Sequence, residues 1–567
     1  MNNTTGPETR ESRLTANSYF RHFEGITPPM RPPISAARQS AWHAAAGLAL
    51  GLGIWYLHWR WTASLNPEAL VLSYVVVTAE TLAFIGTAFF IYDIWEEVDT
   101  PQQSPPKTRR DAHLTGPGTI GVDIIVTTYD EPVEIVAATL MDAAAVIAPP
   151  GCKIAIYLAD DGNRPEMAAL AANHGAVHLP RAHNTGFKAG NLKNALMKTS
   201  GDFFVICDAD TRLGTGFVQN TLGYFREEKT AWVQTPHWFY DLPEGEGHKR
   251  HGRDPLASDP TVFFDIVQRR RNRSGASFCC GAGSIHRREA VFSNALDSAT
   301  RKASPSSLQP LQPFQYHVSE DILTSMHLHA SRNGWRSVYH PQVEARMLSP
   351  WSLGAWVTQR TKYAGGTVDI LLRSFPRLIR RLPPGIAMHY IATFWAYIST
   401  LWLTVLIFAP CVSLITGHSP VAAWSLTFFS HFLPALIATE LAIGLGCKDH
   451  DHFKGRLQAI SSAPLVLVAA TQVVMGRKPR FPATPKVPTG QAPAGFARLC
   501  AAIVIFFGLT IAFGFISPFF RPGGWDAPHL VFNTFWATFN ALAFAQVLRA
   551  EPQLRRQFAK ITGTTPT

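Results

Sequence analysis

Apolar and polar positions divide this chain into long charge-free runs and one interior stretch of ordinary globular texture. The runs occupy roughly 41–58, 70–93, 387–416, 421–446, 457–475, 497–519 and 527–547. A continuous apolar run of about 18 or more residues is long enough to cross a bilayer as a helix. From about 100 to 380 the pattern changes. GVDIIVTTYDEP (121–132) is a buried-strand run closed by a turn, and an amphipathic helix follows over 132–147. KIAIYLADDG (153–162) is a second strand, 164–174 a helix, and DFFVICDAD (202–210) a third strand. Strands alternating with helices predict an α/β domain with a mostly parallel sheet, whose ligands gather at the carboxyl ends of the strands. All three strands end in carboxylates.

A polytopic membrane protein with one large domain inserted after the second span is therefore expected. The divisions are a polar arm over 1–40, read as mobile and without a secretory-signal pattern; two spans in 41–96; a soluble domain over 101–350; amphipathic interfacial helices over 351–385; two spans in 386–446; an apolar helix over 457–475; a basic loop over 477–494; two spans in 497–549; and a tail over 550–567. At 567 residues the chain exceeds a single core. Its net charge of +11 sits mainly beside the apolar runs, as in Arg21, Arg31 and Arg38 or Arg373, Arg377, Arg380 and Arg381. That is the signature of cytoplasmic flanks rather than of a nucleic-acid partner. The seven cysteines follow neither disulfide nor zinc spacing and are expected to be reduced.

The acids carry the chemistry. In CDAD, Asp208 and Asp210 are two apart, so on an extended chain both carboxylates address one side and can share a hard cation such as Mg2+ or Mn2+. TTYDEP brings Thr128, Tyr129 and Glu131 to the first strand end, where a nucleoside can dock. In ADDG, Asp160 and Asp161 suit a hydroxyl-bearing ligand, or equally the cap of the next helix. FKAGNLKNAL (187–196) sets Lys188 at a helix start, beside amides that suit a diphosphate. FCCGAG brings Cys280 and Gly281, small residues that let backbone approach a ligand. Glu320 and Asp321 open a further helix, where acids serve either the helix dipole or general-base catalysis. Gln359, Arg360, Lys362 and Tyr363 fall on a basic amphipathic helix, itself suited to lie at a lipid surface. The polar group Cys447, Asp449, His450, Asp451 and His452 reads as an interhelix loop rather than a metal site.

Taken in order, VDIIVTTYDEP, LADDG, KAGNLKNAL, CDAD, FCCGAG, SED, QRTKY and FPATPK resemble the processive family 2 glycosyltransferases of the cellulose synthase type. The resemblance covers most of the chain. It implies a GT-A-like catalytic domain on the cytoplasmic side of an inner membrane, with about six transmembrane helices and both termini cytoplasmic. It implies UDP-glucose as donor and a growing β-glucan as product and partner, with membrane lipid around the helices. It further implies that Asp160 and Asp161 hold uridine diphosphate, with Thr128, Tyr129 and Glu131 beside them. Asp208 and Asp210 bind the metal, Lys188 contacts phosphate, and Asp321 is the catalytic base, with Glu320 adjacent. Gln359, Arg360 and Lys362 sit at the diphosphate, and Tyr363, Cys280 and Gly281 meet the acceptor sugar. Phe481, Thr484 and Lys486 match a gating loop that closes over the nucleotide from the cytoplasm, which makes 457–475 interfacial or re-entrant despite its hydropathy. Lys362, Tyr363 and Ser319 stand where the family pattern has Arg, Trp and Thr, and Ala483 stands in place of Val. About twenty residues follow the last span, so control by cyclic di-GMP is expected to require a regulatory or periplasmic accessory subunit. Trp395, Trp402 and Trp536 offer sugar-stacking faces within the spans. Two other readings are a chitin- or hyaluronan-type synthase using UDP-N-acetylglucosamine and a catalytically silent membrane scaffold. The acids at every strand end argue against the scaffold, because buried like charges cost stability.

Overall fold

The structure is a computed structural model that describes residues 16–242, 256, 260–302, 311–421, 426–447, 450–478, 494–520 and 527–562. Its centre is a seven-stranded sheet of order β3-β2-β1-β4-β8-β6-β9. The strands are β1 Ile120–Thr128, β2 Cys152–Asp160, β3 Val177–Pro180, β4 Phe203–Asp208, β5 Arg212–Leu213, β6 Thr230–Gln234, β7 His237–Phe239, β8 Ser284–Arg287, β9 Arg336–Tyr339 and β10 Ala345–Met347. β8 runs antiparallel to both β4 and β6, and every other pairing in the sheet is parallel. β5, β10 and β7 form a small second sheet. β1 is buried along nearly its whole length because both of its faces are covered. Ile120, Val122, Ile124 and Val126 pack with Val136 and Leu140 of the Val133–Ala144 helix. Ile125 faces the opposite layer, built on Ala189, Leu192 and Ala195 of the Phe187–Lys198 helix.

Among the described residues six helical segments are long and apolar enough to cross a membrane: Pro67–Asp93, Pro384–Thr416, Leu426–Gly446, His452–Val474, Gly495–Phe519 and Ala527–Thr562. The Ala36–Ala63 helix, 28 residues long, falls outside this set by composition and packs along Leu426–Gly446. Conversely, His452–Val474, expected at the interface, meets the criteria for a span; it packs against the amphipathic Leu353–Arg373 helix. The apolar run over 387–416 is divided at Ser399 into Pro384–Ile398 and Thr400–Thr416.

The arm read as mobile is docked over its described part. Tyr19 and Phe20 are almost fully buried, and the Tyr19 hydroxyl donates to Asp241 at 2.8 Å. Trp351 Nε1 and Ser349 N also donate to Asp241, at 2.7 and 2.8 Å. Glu24 pairs with Arg212 at 2.7 Å, and Arg31 pairs with Asp265. Aromatic side chains supply the apolar area that fixes this arm.

The soluble domain is joined to the membrane helices by buried charges. Arg271 reaches Asp93, the last residue of its helix, at 2.5 Å, and His389 Nδ1 meets the same carboxylate at 2.6 Å. Arg269 pairs with Asp99 at 2.5 Å, and Arg270 donates to the Ile94 carbonyl at 2.8 Å. All seven cysteines are free thiols.

Candidate active site

The carboxyl ends of β1, β2 and β4 open into a cavity of about 1040 Å³ that continues between the membrane-length helices. Its domain side carries Thr128, Tyr129, Glu131, Asp161, Lys188, Asp208, Asp210, Glu320 and Asp321. Gln359, Arg360, Lys362 and Tyr363 line it from the amphipathic helix. Thr393, Ala396, Tyr397 and Phe90 carry the wall on among the apolar helices. Most of the side chains selected from the sequence thus meet in one chamber.

Two do not face it as expected. Asp160 is fully buried and lies behind the lining. Its carboxylate accepts from Gly162 N at 3.0 Å and Arg164 N at 2.6 Å, so it fixes the turn that presents Asp161. It thus organises the turn ahead of the Pro165–Asn173 helix, which itself has no side-chain cap. Gly281 contributes no lining atom, yet a Cβ there would lie 3.1 Å from Lys188 Nζ and 3.9 Å from Asp321 Oδ2. With φ of +85° it needs glycine for both backbone and space. Cys280 does face the cavity, its amide held by Gln234 Oε1 at 2.8 Å.

Asp208 ends β4, and Asp210 lies beyond it in a turn closed by Thr211 N donating to the Asp208 carbonyl at 3.0 Å. The two carboxylates share the cavity because the chain turns, not because it stays extended. Asp210 is 3% exposed and accepts from Leu348 N at 3.2 Å, whereas Asp208 meets Lys188 Nζ at 2.5 Å. An oxygen-only pair on a cavity wall fits a hard divalent cation that completes its shell with ligand oxygens. Among the described residues no group of three or more His, Cys, Asp or Glu could hold a metal without such help.

Burial works against the Lys188 ammonium, but Asp208, Glu320 and Asp321 outweigh it and hold its pKa above that of an ordinary lysine. Burial, then the Asp321 charge, pushes Glu320 up to about 7 against Lys188 and Lys362. Burial also raises Asp321, opposed by the Ile322 amide and Lys188. Ile322 N donates to Asp321 Oδ1 at 2.8 Å. A carboxyl group held near neutrality can exchange a proton at working pH. Burial raises Asp161, with Arg181 opposing through a two-point pair. Glu131 accepts from the Thr128 hydroxyl and Tyr129 N, both at 2.8 Å.

The Leu353–Arg373 helix is seated close to the Glu320–Asp321 turn: a Cβ on Gly366 would lie 2.1 Å from Ser319 Oγ. His237 escaped the sequence reading. It lines the cavity with Nε2 2.7 Å from the Ala282 carbonyl, and burial lowers its pKa to about 4, so the ring is neutral. Asn184 was also missed; Phe187 and Asn191, both within the motif quoted for Lys188, line the cavity as well. Phe187 adopts a φ of +50°. Trp395, Trp402 and Trp536 do not line the cavity; Trp395 packs on Phe89 and Trp402, with centroids 5.2 and 5.0 Å away. Phe481, Thr484 and Lys486 lie outside the described residues.

Residues 203–440 match the family described as Glycosyl transferase family group 2. A cellulose synthase catalytic subunit [UDP-forming] of Komagataeibacter sucrofermentans is 27% identical over 442 residues, covering 76% of this chain and 54% of the relative. That of Xanthomonas axonopodis pv. citri is 31% identical over 342 residues, covering 59% and 43%. The chain thus spans about half the length of these curated relatives. A solved mannosyltransferase, PcManGT from Pyrobaculum calidifontis in complex with GDP-Man and Mn2+, aligns with a TM-score of 0.48 at 15% identity, covering 72% of this chain and 100% of its own. Residues 203–440 thus match a glycosyl transferase family 2 model within an α/β domain joined to membrane-length helices, and the chain is similar to the catalytic subunits of cellulose synthases.

Proposed function

We propose that this protein is a processive, inverting glycosyltransferase that builds a β-glucan from UDP-glucose and passes it across the membrane it spans. The observation that carries the reading is the single cavity in which Lys188, Asp208, Asp210, Glu320 and Asp321 face the strand ends and whose wall continues to Tyr397. Asp161, with Thr128 and Glu131, would receive the nucleoside, and Lys188, Gln359, Arg360 and Lys362 the diphosphate. Tyr363, Cys280 and the backbone at Gly281 would hold the acceptor sugar. Asp208 and Asp210 would bind Mg2+ or Mn2+, whose charge, when bound, offsets that of the leaving diphosphate.

Asp321 takes the proton of the acceptor hydroxyl as that oxygen forms its bond to the anomeric carbon. The bond from that carbon to the diphosphate oxygen breaks on the opposite face, and UDP departs with the electron pair. One displacement on an α-linked donor gives a β-linkage. The new chain end then lies toward Thr393, Ala396 and Tyr397. In this reading the domain and both termini are cytoplasmic, and the 477–494 loop acts as a lid.

Purified full chain supplied with UDP-glucose and Mg2+ or Mn2+ should release UDP and yield a polymer that a β-glucanase degrades. Turnover with UDP-N-acetylglucosamine alone would replace the donor assignment, and no turnover with any UDP-sugar would end the enzyme reading.

A further inference from the structure

One stretch of the cavity wall has no part in this scheme. It is supplied by the first turns of the His452–Val474 helix, where Lys454, Arg456 and Gln458 line the chamber. Lys454 and Gln458 are four residues apart and share a face. Lys454 Nζ and Gln458 Nε2 are both buried, and among the described residues neither has a hydrogen-bond partner. Arg456, between them in sequence, is engaged by Glu440 at 2.5 Å, and His452 lies 3.8 Å from the same carboxylate. Asp451 caps the helix by accepting from Lys454 N at 3.2 Å, which occupies one of its oxygens with backbone.

A buried ammonium without a hydrogen-bonded counter-charge is costly, and a buried amide donor without an acceptor adds to that cost. An ammonium carries donors only, and the unmatched atom of Gln458 is its donor. The ligand that relieves both is one rich in acceptors and negative in charge. We infer that Lys454 and Gln458 form a second oxyanion subsite on the cavity wall, separate from Lys188 and Asp208, that takes a phosphate group. The phosphate could come from a nucleoside diphosphate moving through the chamber or from a phospholipid headgroup. The subsite stands on the wall geometry and does not require that sugar transfer take place.

The test uses the full chain in phosphatidylcholine nanodiscs, titrated with inorganic pyrophosphate in the presence of EDTA and read by calorimetry. Lys454→Met should weaken binding about tenfold or more, the scale of one hydrogen bond to a charged group. Lys454→Arg should bind within about threefold of the parent, and Gln458→Leu should lose about threefold or more. The titrations are made on a Lys188→Met background, so that the diphosphate contact already assigned to Lys188 does not contribute to the signal. Competition by UDP assigns the phosphate to the nucleotide, and competition by phosphatidylglycerol in the nanodisc assigns it to lipid. Absence of pyrophosphate binding in that background, or binding indifferent to both Lys454→Met and Gln458→Leu, would each overturn the subsite. UDP release from UDP-glucose by the chain with Lys188 intact reports on the transfer reading separately.

Discussion

In the proposed reaction, proton transfer falls to two adjacent carboxyl groups, Glu320 and Asp321, held in a buried pocket against two lysines. Because Glu320 is pushed up to about 7 and Asp321 is also raised, the pair retains a proton at mildly acidic pH. A base works only when ionised, so kcat/KM for UDP release should rise with pH through about 7. Glu320→Gln removes one of two like charges, making ionisation of Asp321 easier, so the inflection should move to lower pH. An inflection that moves upward would reverse the assignment. Asp321→Asn should cut turnover by about 10²- to 10⁴-fold while UDP binding, followed by calorimetry, stays within a few-fold. Gly281→Ala confronts both a φ of +85° and Lys188 Nζ at 3.1 Å, and should lower turnover far more than it lowers melting temperature. The DxD acids, Asp161 and Lys188 were legible in the sequence because each ends a strand or opens a helix. Asp160 lies behind the lining where Asp161 faces the cavity, because an acid that holds a turn and one that faces a ligand leave the same mark in a sequence, and only burial separates them. His237 gave no signal, since a lone histidine opening a three-residue strand has no pattern around it.

At the scale of elements, periodicity located β1, β2 and β4 and the helices between them, all long enough to show a repeat. β3, β8 and β9 are four residues each, too short for that, and the antiparallel run of β8 is fixed by sheet pairing rather than by anything local. The run over 387–416 looked continuous because a break at Ser399 costs no hydropathy. The docked arm was missed because scattered aromatic residues among prolines and arginines resemble a linker until their partners are known. Tyr19→Phe should therefore destabilise the protein by about 1–3 kcal/mol, since it withdraws one of three donors from the buried Asp241 carboxylate. Thermal unfolding of the solubilised chain measures this, and an unchanged midpoint would mean that the latch contributes nothing. Gly366→Leu should force the Leu353–Arg373 helix off the Ser319 turn and impair donor and acceptor binding together, visible as raised KM for both.

Over the whole molecule, catalytic-type side chains and membrane helices enclose one volume, and charged pairs hold the two halves in register. The sequence announced two kinds of texture but not how they meet, because nothing local marks the arginines at 269–271 as neighbours of Asp93, Asp99 and His389. Asp93→Asn would leave Arg271 buried without its counter-charge. About 3–5 kcal/mol of destabilisation is expected, with proteolysis at the domain–membrane junction accelerated; unaltered proteolysis would show the junction to be held by other means. That weld also limits how mechanical work can be done. A catalytic half riveted to its bilayer half cannot rock as a body, so any stroke that ratchets a chain forward by one sugar must come from short turns and single side chains, moving like a pawl inside a fixed housing.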